Sequence, residues 1–154
     1  IEATTEQLYD DLFAINVKGA FFGVQKALPL LASGSSVVIN SSTVNVKGMP
    51  GFVAYAATKA AVRSFARGMS AELAPKGIRV NCVSPGPIGT PLWSKTGMNE
   101  EQTKQAGEGI SKQVPAGRFG TDREIADAVV YLASDESRYV VGADLYVDGG
   151  MAQV

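Results

Sequence analysis

The strongest constraint in this sequence is a pair of short apolar runs separated by one long helical pattern. The first, Ser36-Val37-Val38-Ile39-Asn40-Ser41, is β-branched and continuously apolar through its centre, which reads as a strand buried on both faces. The second is Ile78-Arg79-Val80-Asn81-Cys82-Val83. Between them, Val62, Phe65, Ala66, Met69 and Leu73 fall at helical spacing and predict a helix over roughly residues 54–74. Pro75-Lys76-Gly77 stops that helix. Two strands joined through a helix imply a right-handed crossover and a parallel sheet.

The rest of the chain extends the same alternation. Thr4 with Gln7 three residues later reads as a capping box, and Leu8, Leu12, Ile15, Gly19 and Phe22 continue as a helix to about Leu31. Gly48, Pro50 and Gly51 make residues 43–53 a loop, and the prolines of 85–91 exclude a regular element there. Residues 92–118 are polar and glycine-containing, with weak helical character. Thr121 and Glu124 form a second capping box before Ile125, Ala128, Val129 and Leu132. A last strand, Ala143 to Val147, ends at Asp148-Gly149-Gly150. With no repeat or linker, residues 1–154 read as a single α/β unit of three strands and three main helices.

Composition narrows the chemistry. The chain contains no histidine, which excludes Ser-His-Asp and Cys-His catalysis and His-ligated zinc sites. Proton transfer then falls to Tyr, Lys, Asp, Glu or water. A single cysteine, Cys82, permits no internal disulfide and fits a reducing compartment such as the cytoplasm. The formal charge of −1 gives no reason to expect a nucleic-acid partner, and no run reaches the apolar length of a membrane span.

Tyr55 and Lys59 stand four residues apart, so both side chains lie on one helical face. A free phenol has a pKa of about 10, and a neighbouring ammonium and the positive helix start both favour its ionised form. Such a tyrosine can exchange a proton, although Tyr and Lys at this spacing also occur on many ordinary helices. Ser42 ends the first strand, at the end of a parallel sheet where ligands bind, or else caps that strand. Asn16, inside a helix, is either a tolerated polar residue or a group that holds a water against a lysine of the next helix. The stretch Pro85-Gly86-Pro87-Ile88-Gly89-Thr90-Pro91 is a rigid loop that offers backbone groups to a flat amide ring, or a plain connection. Cys82 reads as core. Trp93 and Met98 either line a lid or pack.

Together these segments are far more specific than any one of them. Asn16-Val17-Lys18-Gly19, Ser42, and Tyr55-Ala56-Ala57-Thr58-Lys59 resemble the short-chain dehydrogenase/reductase family. So do Arg79-Val80-Asn81-Cys82-Val83-Ser84-Pro85-Gly86-Pro87 and the ending from Gly142 to Gly150. The resemblance implies the C-terminal half of a Rossmann-like, doubly wound parallel sheet. It implies Tyr55 as acid/base, with Lys59 lowering its pKa and binding the nicotinamide ribose. Ser42 would orient the substrate and Asn16 would hold the water of a proton relay to Lys59. Pro85, Gly86 and Ile88 would contact the nicotinamide and Thr90 the phosphates, while residues 91–118 would form the substrate lid. The cofactor implied is NAD or NADP, and the substrate is a small-molecule alcohol or ketone. A homo-oligomer, dimer or tetramer, would be built on the helices at 6–31 and 54–74.

The family's glycine-rich pyrophosphate turn has no counterpart in these residues. The expectation is that the chain is a piece of a longer polypeptide whose dinucleotide-binding half precedes it. The strand at 36–41 would then pair with a neighbour from that half, since an open apolar edge invites pairing with other chains. A non-catalytic remnant acting as a binding or assembly module is the alternative reading.

Overall fold

A computed structural model describes residues 1–91 and 99–154. The alternation of strands and helices produces a three-stranded, fully parallel sheet in the order β1-β2-β3. β1 spans Ser36–Asn40, β2 Arg79–Pro85 and β3 Asp144–Val147. Ser36 pairs with Arg79 at the start of β1, and Cys82 with Asp144 at the start of β3. β2, the central strand, is buried from Arg79 to Ser84. β1 is mostly half-buried, because within these residues it has a partner on one side only.

Alternation along the strands sends Val80 and Cys82 to one face of the sheet and Arg79 to the other. The first face packs against helix α3, Val53–Leu73. Its core joins Ile39, Val80 and Cys82 to Val62, Ala66 and Leu73, with Val24 and Leu28 from the preceding helix alongside. The buried positions of α3 are Thr58, Val62, Ala66, Ser70 and Leu73. Phe65 and Met69, expected on the same stripe, lie on its flank and are only partly buried. On the opposite face lies α5, Asp122–Ala133. Arg79 reaches across to it, donating to the carbonyls of Leu132 at 2.9 Å and Ser134 at 3.0 Å.

Two elements differ from the sequence expectation, in three respects. The first helix starts one residue later, capped by Thr5, whose hydroxyl accepts from the Leu8 amide. It is also not one α-helix. α1, Glu6–Phe13, passes through a π-helical turn at Ala14–Lys18 before α2, Gly19–Ala27. Finally, the polar stretch after residue 98 contains a complete helix, α4, Glu100–Ser111. Asn99 and Gln102 form its capping box. α5 starts as the sequence predicts, with Thr121 and Glu124 as reciprocal caps. Trp93 and Met98 lie outside the described residues.

Candidate active site

The carboxyl ends of β1 and β2 place two short loops side by side. The Ser41 amide still donates to Val83, continuing the ladder one step past β1. Ser42 then caps a 3₁₀ turn, Thr43–Asn45. That turn starts the return of the chain to α3, which brings Tyr55 in its first turn back to the tip of β1. The Ser42 hydroxyl is close enough to the Tyr55 phenol to lower its pKa, and both side chains line the same two cavities. The Lys59 amine stands 5.5 Å from the centre of the Tyr55 ring and donates to the Asn40 carbonyl at 3.0 Å.

Beyond β2, Gly86 is pressed against the last turn of the chain. Its amide donates to Val147, and a Cβ on Gly86 would lie 2.7 Å from the Asp148 Cα. Pro87 accepts from the Gly120 amide at 2.9 Å, so the loop is held from both sides. A cavity of about 380 Å³ opens here, lined by Ser42, Tyr55, Pro85, Gly86, Ile88 and Thr90 among others. A second cavity of about 350 Å³ lies on the other side of the same wall, with Val44, Met49, Phe52, Ile110 and Met151 in its lining. Ser42, Tyr55, Gly86 and Pro87 border both.

Six of the sequence-derived positions therefore share one cleft, and Lys59 adjoins it through the Tyr55 ring. Asn16 contacts the residue that precedes Lys59. It sits in the π-helical turn and donates to the Thr58 hydroxyl at 3.1 Å. That hydroxyl donates in turn to the Tyr55 carbonyl at 2.6 Å. Asn16 thus braces the turn of α3 between Tyr55 and Lys59.

The electrostatics correct one expectation. Tyr55 does not have a lowered pKa: burial raises it, and the Ser42 hydrogen bond offsets this only in part. Burial also lowers the pKa of Lys59. The reason is geometric. The ammonium stands 5.5 Å from the ring centre, and its donation goes to the Asn40 carbonyl. At neutral pH the phenol carries its proton and is an acid rather than a base. Cys82 is buried, and its thiol is pushed up to about 12, chiefly by burial, so it is no nucleophile. Among the described residues no cluster of acidic or thiol side chains could hold a metal ion.

The sequence reading overlooked a polar cluster beneath this wall. Asn45, Ser41 and Ser84 surround Asp144, which also pairs with Arg63 at 3.3 Å. An acid in the short apolar strand Ala143 to Val147 was the signal that marked it.

Comparison with known proteins agrees with this arrangement. A family profile described as enoyl-(acyl carrier protein) reductase matches residues 1–152. The uncharacterized oxidoreductase YghA of Escherichia coli (strain K12) is 42% identical over 149 residues, 97% of this chain and 49% of that protein. The 3-oxoacyl-(acyl-carrier-protein) reductase FabG of Staphylococcus aureus is 40% identical over 148 residues, 95% of this chain and 58% of that protein. A mutant Serratia marcescens short-chain dehydrogenase/reductase of known structure superposes with a TM-score of 0.87 at 31% identity. That match covers 98% of this chain and 59% of the other. The chain spans about half the length of the curated relatives it matches. With its parallel sheet, its Ser42–Tyr55 wall and a profile match along nearly its whole length, the chain belongs to the short-chain dehydrogenase/reductase family.

Proposed function

We propose that residues 1–154 are the catalytic half of an oxidoreductase that interconverts an alcohol and a carbonyl compound, using NAD or NADP. The observation that carries this reading is the wall itself. One phenol and one serine hydroxyl together border two cavities at the carboxyl ends of parallel strands. Such a reaction needs a flat ring on one side and a reacting carbon on the other.

The residues of the 380 Å³ cavity fit the nicotinamide end of a dinucleotide. The Pro85–Ile88 backbone would meet the ring and its amide, Thr90 the phosphate side, and the Lys59 amine a ribose hydroxyl. When bound, the nicotinamide supplies or takes up the hydride. The protein's part is proton transfer and alignment. Ser42 orients the substrate oxygen, and Tyr55, protonated at neutral pH, delivers its proton to that oxygen as carbon is reduced. The reverse reaction returns the proton to Tyr55. Asn16 braces the Tyr55–Lys59 turn and stands close to the route by which Lys59 would be recharged with a proton.

The dinucleotide-binding half is supplied by residues outside this sequence, which would also flank β1. A reducing, cytoplasmic setting suits the lone buried Cys82. The groove between α2 and α3 would accept a second copy, giving a dimer or tetramer.

The test uses the polypeptide at its relatives' full length. NADH and NADPH are titrated while nicotinamide fluorescence is followed, and carbonyl compounds are then supplied. Tyr55→Phe should leave cofactor affinity within about twofold and lower turnover by ~10²–10⁴-fold. Full turnover in Tyr55→Phe, or no binding of either cofactor, would sink the reading.

A further inference from the structure

A partly buried polar cluster outside the Tyr55–Ser42 wall is centred on Asn45. Its amide nitrogen donates to Asp144 at 2.8 Å, Ser41 at 2.9 Å and Ser84 at 3.2 Å. Its amide oxygen accepts from the Tyr146 hydroxyl at 2.8 Å. These partners fix which way the amide points, because the carboxylate requires a donor and the Ser41 and Ser84 hydroxyls already donate to Lys59 and Asp144. Asp144 takes a further bond from Ser84 at 2.6 Å, and its side chain is only 5% exposed. A carboxylate so deeply buried is tolerated only when its lone pairs are filled, so Asn45 is held tightly.

Two connections run from Asn45 to the wall above. Its backbone amide donates to the Ser42 carbonyl at 3.0 Å, closing the turn that Ser42 caps. Its side chain meets the Ser41 hydroxyl, which donates to the Lys59 carbonyl at 3.1 Å. One turn further along α3, Arg63 is bound to Asp144 and donates to the Gly142 carbonyl at 2.9 Å. The loop that carries Ser42 and the helix that carries Tyr55 and Lys59 are therefore fastened to the same buried carboxylate.

We infer that Asn45, held by Asp144, is a positioning residue that sets the Ser42 hydroxyl against the Tyr55 phenol. This rests on the oxidoreductase reading for its catalytic consequence, but not for its geometric one. Asn45 touches neither the nicotinamide-side cavity nor the second one among their lining residues. It acts through the loop, and its loss should move alignment rather than binding.

The test reads Tyr55 directly. The protein is labelled with ring-¹³C tyrosine, and the Tyr55 signal is assigned with Tyr55→Phe and followed against pH. Ser42 lowers the Tyr55 pKa, so Asn45→Ala, by loosening Ser42, should move the titration upward, in the direction of Ser42→Ala. In the full-length protein, Asn45→Ala should reduce kcat by ~10–100-fold, with the KM for cofactor within about twofold. Should Asn45→Ala fail to fold, Tyr146→Phe removes the donor to the Asn45 oxygen, along with the hydroxyl's contact with Asp144, and should give a smaller upward shift. A purely structural role would lower the melting temperature and leave both the titration and kcat in place, and that result overturns the inference. If the wild-type protein transfers no hydride at all, the oxidoreductase reading falls, while the titration still decides the positioning claim.

Discussion

Two side chains on one helical face need not interact as their spacing implies. Lys59 lies a single turn from Tyr55, yet its amine donates to a strand carbonyl, and burial governs both groups. Gly86 makes a similar point by contact. Its amide is used by Val147, and the Asp148 backbone leaves no room for a methyl group. Gly86→Ala should cost about 1–3 kcal/mol, because the neighbour is main chain and cannot swing aside. Urea unfolding with an unchanged slope would measure it, and an unchanged midpoint would contradict the close packing. Ser42, Tyr55 and Lys59 were legible in the sequence because each stands at a recognisable place, a strand tip or a helix start. Asn45 and Asp144 were not, because they meet 99 positions apart and neither has a local pattern that names the other.

Among the elements, α5 has the best-defined start. Glu124 accepts from the Thr121 amide at 2.8 Å and pairs with Arg118 at 2.7 Å. Its carboxyl is held down at about 2 against an ordinary 4.5, first by the Arg118 hydrogen bond and then by Thr121. The folded value is depressed, so the stabilisation is present above pH 4.5 and is lost as pH falls toward 2. Amide exchange at residues 121–125 should therefore quicken across that interval in the wild type and show no such step in Glu124→Gln. Thr121→Ala should cost about 1 kcal/mol at neutral pH, read from thermal melts. This capping box was readable because its two residues are three apart and followed by an apolar stripe. The equivalent pair at α4, Asn99 and Gln102, precedes a helix with few apolar positions, and the polar composition masked it. The π-helical turn at Ala14–Lys18 left no mark at all, since one extra residue in a turn barely disturbs the apolar spacing on either side.

For the whole molecule, a groove of about 410 Å³ runs between α2 and α3, lined by Phe21, Val24, Leu28, Phe65 and Met69. Gly68 also lines it and has nothing within 4 Å of an added Cβ, so an arginine there would fill the groove without a clash at its own Cβ. Sedimentation velocity should give a dimer or tetramer for the wild type and a monomer for Gly68→Arg. A wild-type monomer at micromolar concentration would remove the oligomer proposal. The α/β class, the parallel direction and the strand limits followed from the sequence to within two residues, because they depend on local periodicity. What flanks the other edge of β1 does not, because pairing across a strand edge leaves no local pattern in the sequence.

The Asn45–Asp144 bond also sets a timetable. At the usual pace of synthesis, about 5–20 residues per second, Asp144 leaves the ribosome roughly 5–20 s after Asn45. Throughout that delay the turn bearing Ser42 has its own backbone bonds and its ties to Ser41 and Ser84 but not the carboxylate that anchors them, and hairpin-like local pairings cannot substitute in a sheet whose strands all run one way. A nascent chain would acquire its helices early and its working geometry only when the final strand docks.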